Sequence, residues 1–170
     1  MNADDIRALQ APIKEQYKTT PESAVITLKA RGTIGEGITC KVDTGKQIAE
    51  AGLHPATGGN GSSLCSGDML LEALVACTGV TLNAVATAID LKLYDAEVSA
   101  EGDLDFRGTL GVSKEAPVGF KIIKLNYHLV SDADEEQIAS LLKLTERYCV
   151  VYQTLKGGVD IEISHTVSGG

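Results

Sequence analysis

The stretch from Asp68 to Ile89, DMLLEALVACTGVTLNAVATAI, leaves this chain few ways to fold. Between Met69 and Ile89 its only charged residue is Glu72, so a helix here is apolar on nearly every face and requires burial from all sides. Ser66 is the expected N-cap, and Asp68 falls in the first turn, where a carboxylate suits the positive end of the helix dipole. The run is long enough to cross a bilayer. Glu72, Thr78, Gly79, Thr81, Asn83 and Thr87 dilute it, however, and both flanks are acidic rather than basic, so a core helix is expected and no membrane. Cys77 lies near its middle, either as packing or as a reagent.

A chain of 170 residues is long enough to close one core. We expect an arm helix over residues 1–21 and a single domain over 22–170. The net charge of −8, with no Lys/Arg cluster and no Trp, argues against nucleic acid as a partner. The polar N-terminus has no apolar leader core, which makes a cytoplasmic protein the natural expectation. The four cysteines, Cys40, Cys65, Cys77 and Cys149, are too few and too scattered for a disulfide scaffold. With His54, His128 and His165 they form no zinc-ligand spacing, so no metal and no cofactor are expected.

Residues 3–17 form a weakly amphipathic pattern that Pro12 should interrupt or kink and Pro21 should end. Glu22 to Arg31 alternates as a half-buried strand, with Ile26, Leu28 and Ala30 on one face. Ile38, Cys40 and Val42 mark a second strand after a turn at Gly35 and Gly37, and Asp43-Thr44-Gly45 turns the chain into a short third strand around Gln47 to Ala49. Gly52 to Gly67, GLHPATGGNGSSLCSG, reads as one long loop carrying Cys65 and His54 to the start of the central helix. Beyond that helix, Ala96, Val98, Ala100, Leu104 and Phe106 alternate with acidic or polar residues, and Ile123, Leu125, Tyr127 and Leu129 line the next inward face, so the two make a long hairpin. Ser131-Asp132-Ala133-Asp134 caps a helix from Glu135 to about Tyr148, with Cys149 at its end. Val150 to Leu155 is a further helical turn stopped by Gly157-Gly158, and Val159, Ile161, Ile163, His165 and Val167 make a last alternating strand.

The segment GGNGSSLCSGDMLLEALVACTGVTL, followed by ERYCVVYQTL, resembles the osmotically inducible protein C and organic hydroperoxide resistance family (OsmC/Ohr) across residues 22–167. The resemblance implies an α+β fold in which curved antiparallel sheets of two intertwined chains wrap two central helices. It also implies reduction of organic hydroperoxides by a cysteine pair, with Cys77 as the peroxidatic and Cys149 as the resolving residue. In such a reaction a Cys77 thiolate attacks the peroxide and becomes a sulfenic acid, which Cys149 converts to a disulfide.

A buried thiol needs help to ionise, and the family draws it from an Arg held by a carboxylate. Arg31 and Asp68 stand in the corresponding positions, although Asp68, where relatives have Glu, starts about 13 Å along the helix from Cys77. The family commonly has Pro directly after its second Cys. Here Val150 stands instead, a change expected to remove a fixed helix start without touching the thiol. The implied partners are a second copy of the chain, an organic hydroperoxide and a dithiol or lipoyl-type reductant. A pocket reaching Cys77 would be lined by Leu74, Thr78, Val80, Thr81 and Tyr148. The rival reading is a small apolar ligand-binding protein that keeps the fold and uses its cysteines for packing.

Overall fold

The computed structural model describes residues 2–25, 27, 31–34, 39–43 and 48–167, with the backbone alone at 6, 9, 21–22, 31–34, 39–43 and 48. Its elements run α1 (Ala3–Thr19), β1 (Arg31–Ile34), β2 (Thr39–Asp43), β3 (Ile48–Gly52), β4 (Leu64–Cys65), α2 (Ser66–Ala88), β5 (Asp95–Asp103), α3 (Phe106–Thr109), β6 (Ile122–Val130), α4 (Glu135–Tyr148) and α5 (Val150–Gly157). Among the described residues two sheets form, one of order β1-β2-β3-β4 and one of β5 with β6. The β3–β4 pairing, Ala51 with Leu64 and Gly52 with Cys65, is parallel, so the first sheet is mixed rather than wholly antiparallel. The fold is α+β.

The long apolar stretch is one helix, and a single chain buries one stripe of it. Leu74, Thr78, Leu82, Val85 and Ala86 recur at spacings of three and four and face inward. Leu82, Val85 and Ala86 form the core with Leu141 of α4, closed by Leu91, Leu93, Val98, Tyr127, Leu129, Leu142 and Leu144. Burying a leucine side chain of this kind contributes about 2–3 kcal/mol. Other apolar positions of α2 stay uncovered within the chain, and Val80 is 73% exposed. Among the described residues α2 is the one helix long and apolar enough to cross a bilayer, yet its packing against α4, α5 and β5 is that of a core helix. The helix stops where Asp90 takes the left-handed conformation (φ 58°) and the Leu91 N–H reaches the Ala86 carbonyl at 2.9 Å. Arg7 of α1 donates to the freed Ala88 carbonyl at 3.3 Å, bringing a cation to the negative end of α2.

The hairpin registers Val98 with Tyr127 and Ala100 with Leu125, and Ile123, Leu125, Tyr127 and Leu129 face inward while their neighbours face water. Asp134 opens α4 with a capping box, accepting the Gln137 N–H at 2.8 Å while Gln137 returns its side-chain oxygen to the Asp134 N–H at 3.0 Å.

Several local expectations are corrected. α1 runs unbroken through Pro12, started by the reciprocal Asn2–Asp5 capping box. The bond lost at Pro12 falls on an exposed helix, where water can satisfy the carbonyl. Pro21 to Ala24 is a 3₁₀ turn, not the start of a strand; Ile26, Leu28 and Ala30 lie outside the described residues, as do Gly35, Gly37, Ile38, Thr44, Gly45 and Gln47. The long loop contains a 3₁₀ turn at Pro55–Thr57 and the two-residue β4, so the N-cap is Cys65 and Ser66 is already helical. Phe106 opens α3 rather than extending β5. Residues 159–167 pair with no strand among the described residues, and their apolar side chains are exposed, Ile161 at 82% and Ile163 at 91%.

Candidate functional site

α4 ends and α5 begins at one residue, Cys149, which is the C-cap of the first and the N-cap of the second. Its extended backbone (φ −74°, ψ 110°) breaks the helical run, so the first N–H groups of α5 are released from α4 and point outward from the junction. The sulfur of Cys77, on α2, occupies the space in front of them. Burial pushes the Cys77 thiol up, but the Val151 N–H, the Cys149 thiol, the Val150 N–H and the Thr81 hydroxyl all favour the thiolate, and together they hold it below its ordinary value of 9.0. A thiolate at a helix N-terminus also gains from the dipole.

The two thiols are free and unequal in access: Cys77 is half-buried and Cys149 is 0% exposed. Cys149 also meets the hydroxyl of Thr78, with Oγ1 3.4 Å from Sγ. Thr78 is itself 0% exposed. Consecutive residues of α2 therefore hold the pair, Cys77 sulfur to sulfur and Thr78 by its hydroxyl. Tyr127 of β6 closes the far side. Its Oη is buried with no hydrogen-bond partner among the described residues, and burial, followed by the charges of Glu146, Cys149 and Tyr152, pushes it up to about 12, so it remains a neutral phenol. Glu146 is held by Tyr152, whose hydroxyl donates to Oε2 at 2.9 Å.

A cavity of about 410 Å³ opens one helical turn from the thiols, lined by Leu74, Phe120, Lys121, Ile122, Ile123, Tyr152, Leu155 and Lys156. Cys77 itself is not in its lining. Leu74 is in its wall and Thr81 lies at the sulfur, but Val80 and Tyr148 face outward and Thr78 is committed to Cys149. Phe120, Tyr152 and Leu155 were not found by sequence reasoning, because they come from segments remote from Cys77 in the chain.

The remaining candidates fall elsewhere. Asp68 is exposed in the first turn of α2 with no hydrogen bond or ion pair among the described residues. Arg31 lies in β1 opposite Asp43, and its side chain, like that of Cys40 in β2, is outside the described residues. None of the described groups that favour the Cys77 thiolate is a cation; two backbone N–H groups, a thiol and a hydroxyl do so. One of them corrects the reading of Val150. A proline there could not donate, whereas the Val150 N–H reaches the thiol. His54 stacks on Phe106 at 4.9 Å and accepts the Ala56 N–H at Nδ1, a structural cap on its 3₁₀ turn.

The profile of a family described as OsmC-like protein matches residues 59–164. No curated protein sequence is significantly similar to the chain. Among solved structures, an OsmC-like protein from Mycoplasma pneumoniae superposes with a TM-score of 0.66 at 16% identity, over 78% of this chain and 89% of that one. An organic hydroperoxide resistance protein from Elizabethkingia anophelis gives 0.64 at 18%, over 79% and 91%. One from Legionella pneumophila, named as an organic hydroperoxide resistance protein OsmC, gives 0.62 at 20%, over 81% and 94%. At these identities the likeness is one of fold.

Proposed function

The chain belongs to the OsmC-like protein family, and from that membership we propose that it is a cofactor-free thiol peroxidase, a homodimer that reduces organic hydroperoxides to alcohols. The observation that carries the reading is the Cys77 sulfur, half-open, near the N-terminus of α5 and beside a second, fully buried thiol. The half-open thiol is the nucleophile. Its thiolate attacks the terminal peroxide oxygen, the O–O bond breaks, and the alkoxide leaves as alcohol after taking a proton, with Cys77 oxidised to a sulfenic acid. Cys149 then attacks that sulfur and water departs.

A dithiol or lipoyl-type reductant restores both thiols. Arg31 is assigned the family's cationic role, with Asp68 acting through it or across the dimer. The neighbours named as organic hydroperoxide resistance proteins support the substrate class, and the apolar walls of the nearby cavity suit an alkyl or aryl group. The cytoplasm is the location this reading takes, a compartment that keeps thiols reduced.

Titrating thiols before and after one equivalent of an organic hydroperoxide tests the proposal. A peroxidase loses two, whereas a ligand-binding protein that uses its cysteines as packing loses none.

A further inference from the structure

Threonines in helices ordinarily turn their hydroxyls back to the carbonyl four residues earlier. Thr81 does so to Cys77 at 2.8 Å, Thr87 to Asn83 at 2.8 Å and Thr145 to Leu141 at 2.9 Å. Thr78 does not: its hydroxyl is buried and its hydrogen bond is to the Cys149 sulfur. In the thiol state either atom can donate, but once Cys149 loses its proton only the hydroxyl can.

We infer that Thr78 is a further residue of the reaction, one that donates its hydroxyl proton in a hydrogen bond to Cys149 while that sulfur carries negative charge. The inference rests on the peroxidase reading for its place in the cycle. In the resolving step Cys77–SOH and Cys149–SH become a disulfide and water. The Cys149 electron pair forms the S–S bond, the S–O bond breaks, and the departing hydroxide takes up the proton that Cys149 gave. Charge therefore passes through a sulfur that solvent does not reach. In regeneration a dithiol attacks the more open Cys77, and Cys149 leaves as a thiolate in the same buried place. One hydroxyl serves both directions, and peroxide attack at Cys77 does not use it.

The test separates the two half-reactions. In Thr78→Val, sulfenic acid formation at Cys77 should proceed at the wild-type rate, disulfide formation should slow about tenfold, and the sulfenic acid should accumulate for trapping by dimedone. Thr78→Ser should restore the disulfide rate. If valine disturbs folding, Thr78→Ala and Thr78→Ser are compared instead, since they differ by the hydroxyl alone. Disulfide formation at the wild-type rate in the hydroxyl-free variant would overturn the inference.

The thiol oxidant diamide supplies a peroxide-independent arm. The Cys77 thiolate adds to its N=N bond, and Cys149 displaces the hydrazine to close the same disulfide. Wild-type protein that forms no sulfenic acid with organic hydroperoxides would overturn the peroxidase reading, while the diamide rates of the Thr78 variants would still decide the role of the hydroxyl.

Discussion

The backbone N–H of Val151, in the first turn of α5, lies beside the sulfur of Cys77 on α2 and favours its thiolate more than any other group around it. Burial acts in the opposite sense, favouring the thiol.

Cys77 should therefore react as a thiolate below the ordinary thiol range. Its folded value is depressed below 9.0, so reactivity is fully developed above the folded value and is lost as pH falls through it. By linkage the thiolate adds stability above the unfolded value, and that contribution disappears on the same acid side. Thiolate absorbance of the wild type minus Cys77→Ser, followed against pH, checks this; a midpoint at or above 9.0 contradicts it.

Val150→Pro removes one donor to the sulfur while placing proline at the first position of α5, where helices tolerate it. We expect an intact fold, a Cys77 thiol pushed upward and alkylation at neutral pH slowed by about threefold to tenfold. Circular dichroism and alkylation kinetics on the same sample separate loss of structure from loss of the donor.

Cys77→Ser should abolish peroxide consumption. Cys149→Ser should complete a single turnover and leave a sulfenic acid at Cys77, whereas Cys65→Ser, whose thiol lies at the N-cap of α2, about three turns before Cys77, should be close to silent. Mass spectrometry after dimedone labelling reads all three, and turnover persisting in Cys77→Ser would move the chemistry elsewhere.

In the proposed dimer a second copy of the chain would cover the exposed side of α2 and the exposed apolar row Val159, Ile161, Ile163 and Val167. Light scattering at micromolar concentration should give a dimer, and Ile161→Asp combined with Ile163→Asp should give a monomer. A wild-type monomer would remove the dimer from the proposal.

An alkyl or aryl hydroperoxide can bury about four CH₂ groups in the apolar cavity, worth roughly 3 kcal/mol, which hydrogen peroxide cannot gain. We expect kcat/KM for a bulky organic hydroperoxide to exceed that for hydrogen peroxide by at least about a hundredfold. Equal values with the same dithiol reductant would count against the cavity as the substrate site.

By itself the sequence determined the elements whose signals are local. Apolar spacing marked α2, the hairpin of β5 and β6 and the buried face of α4. Asp134 with Gln137 marked where α4 begins, and Gly157-Gly158 where α5 stops. The residues around Cys77 and Cys149 were sufficient to suggest the family and the pair. What only the tertiary structure decided was direction. Whether Val150 helps or ignores the thiol depends on the angle at which the α4–α5 junction meets α2, and no spacing along the chain encodes that angle. Thr78 read as a diluting hydroxyl and a pocket wall until Cys149 was placed against it. The same limit applied to Val159 to Val167, where alternation signals an apolar face but not what covers it: among the described residues nothing does, because a strand is defined by its partner as much as by its own residues.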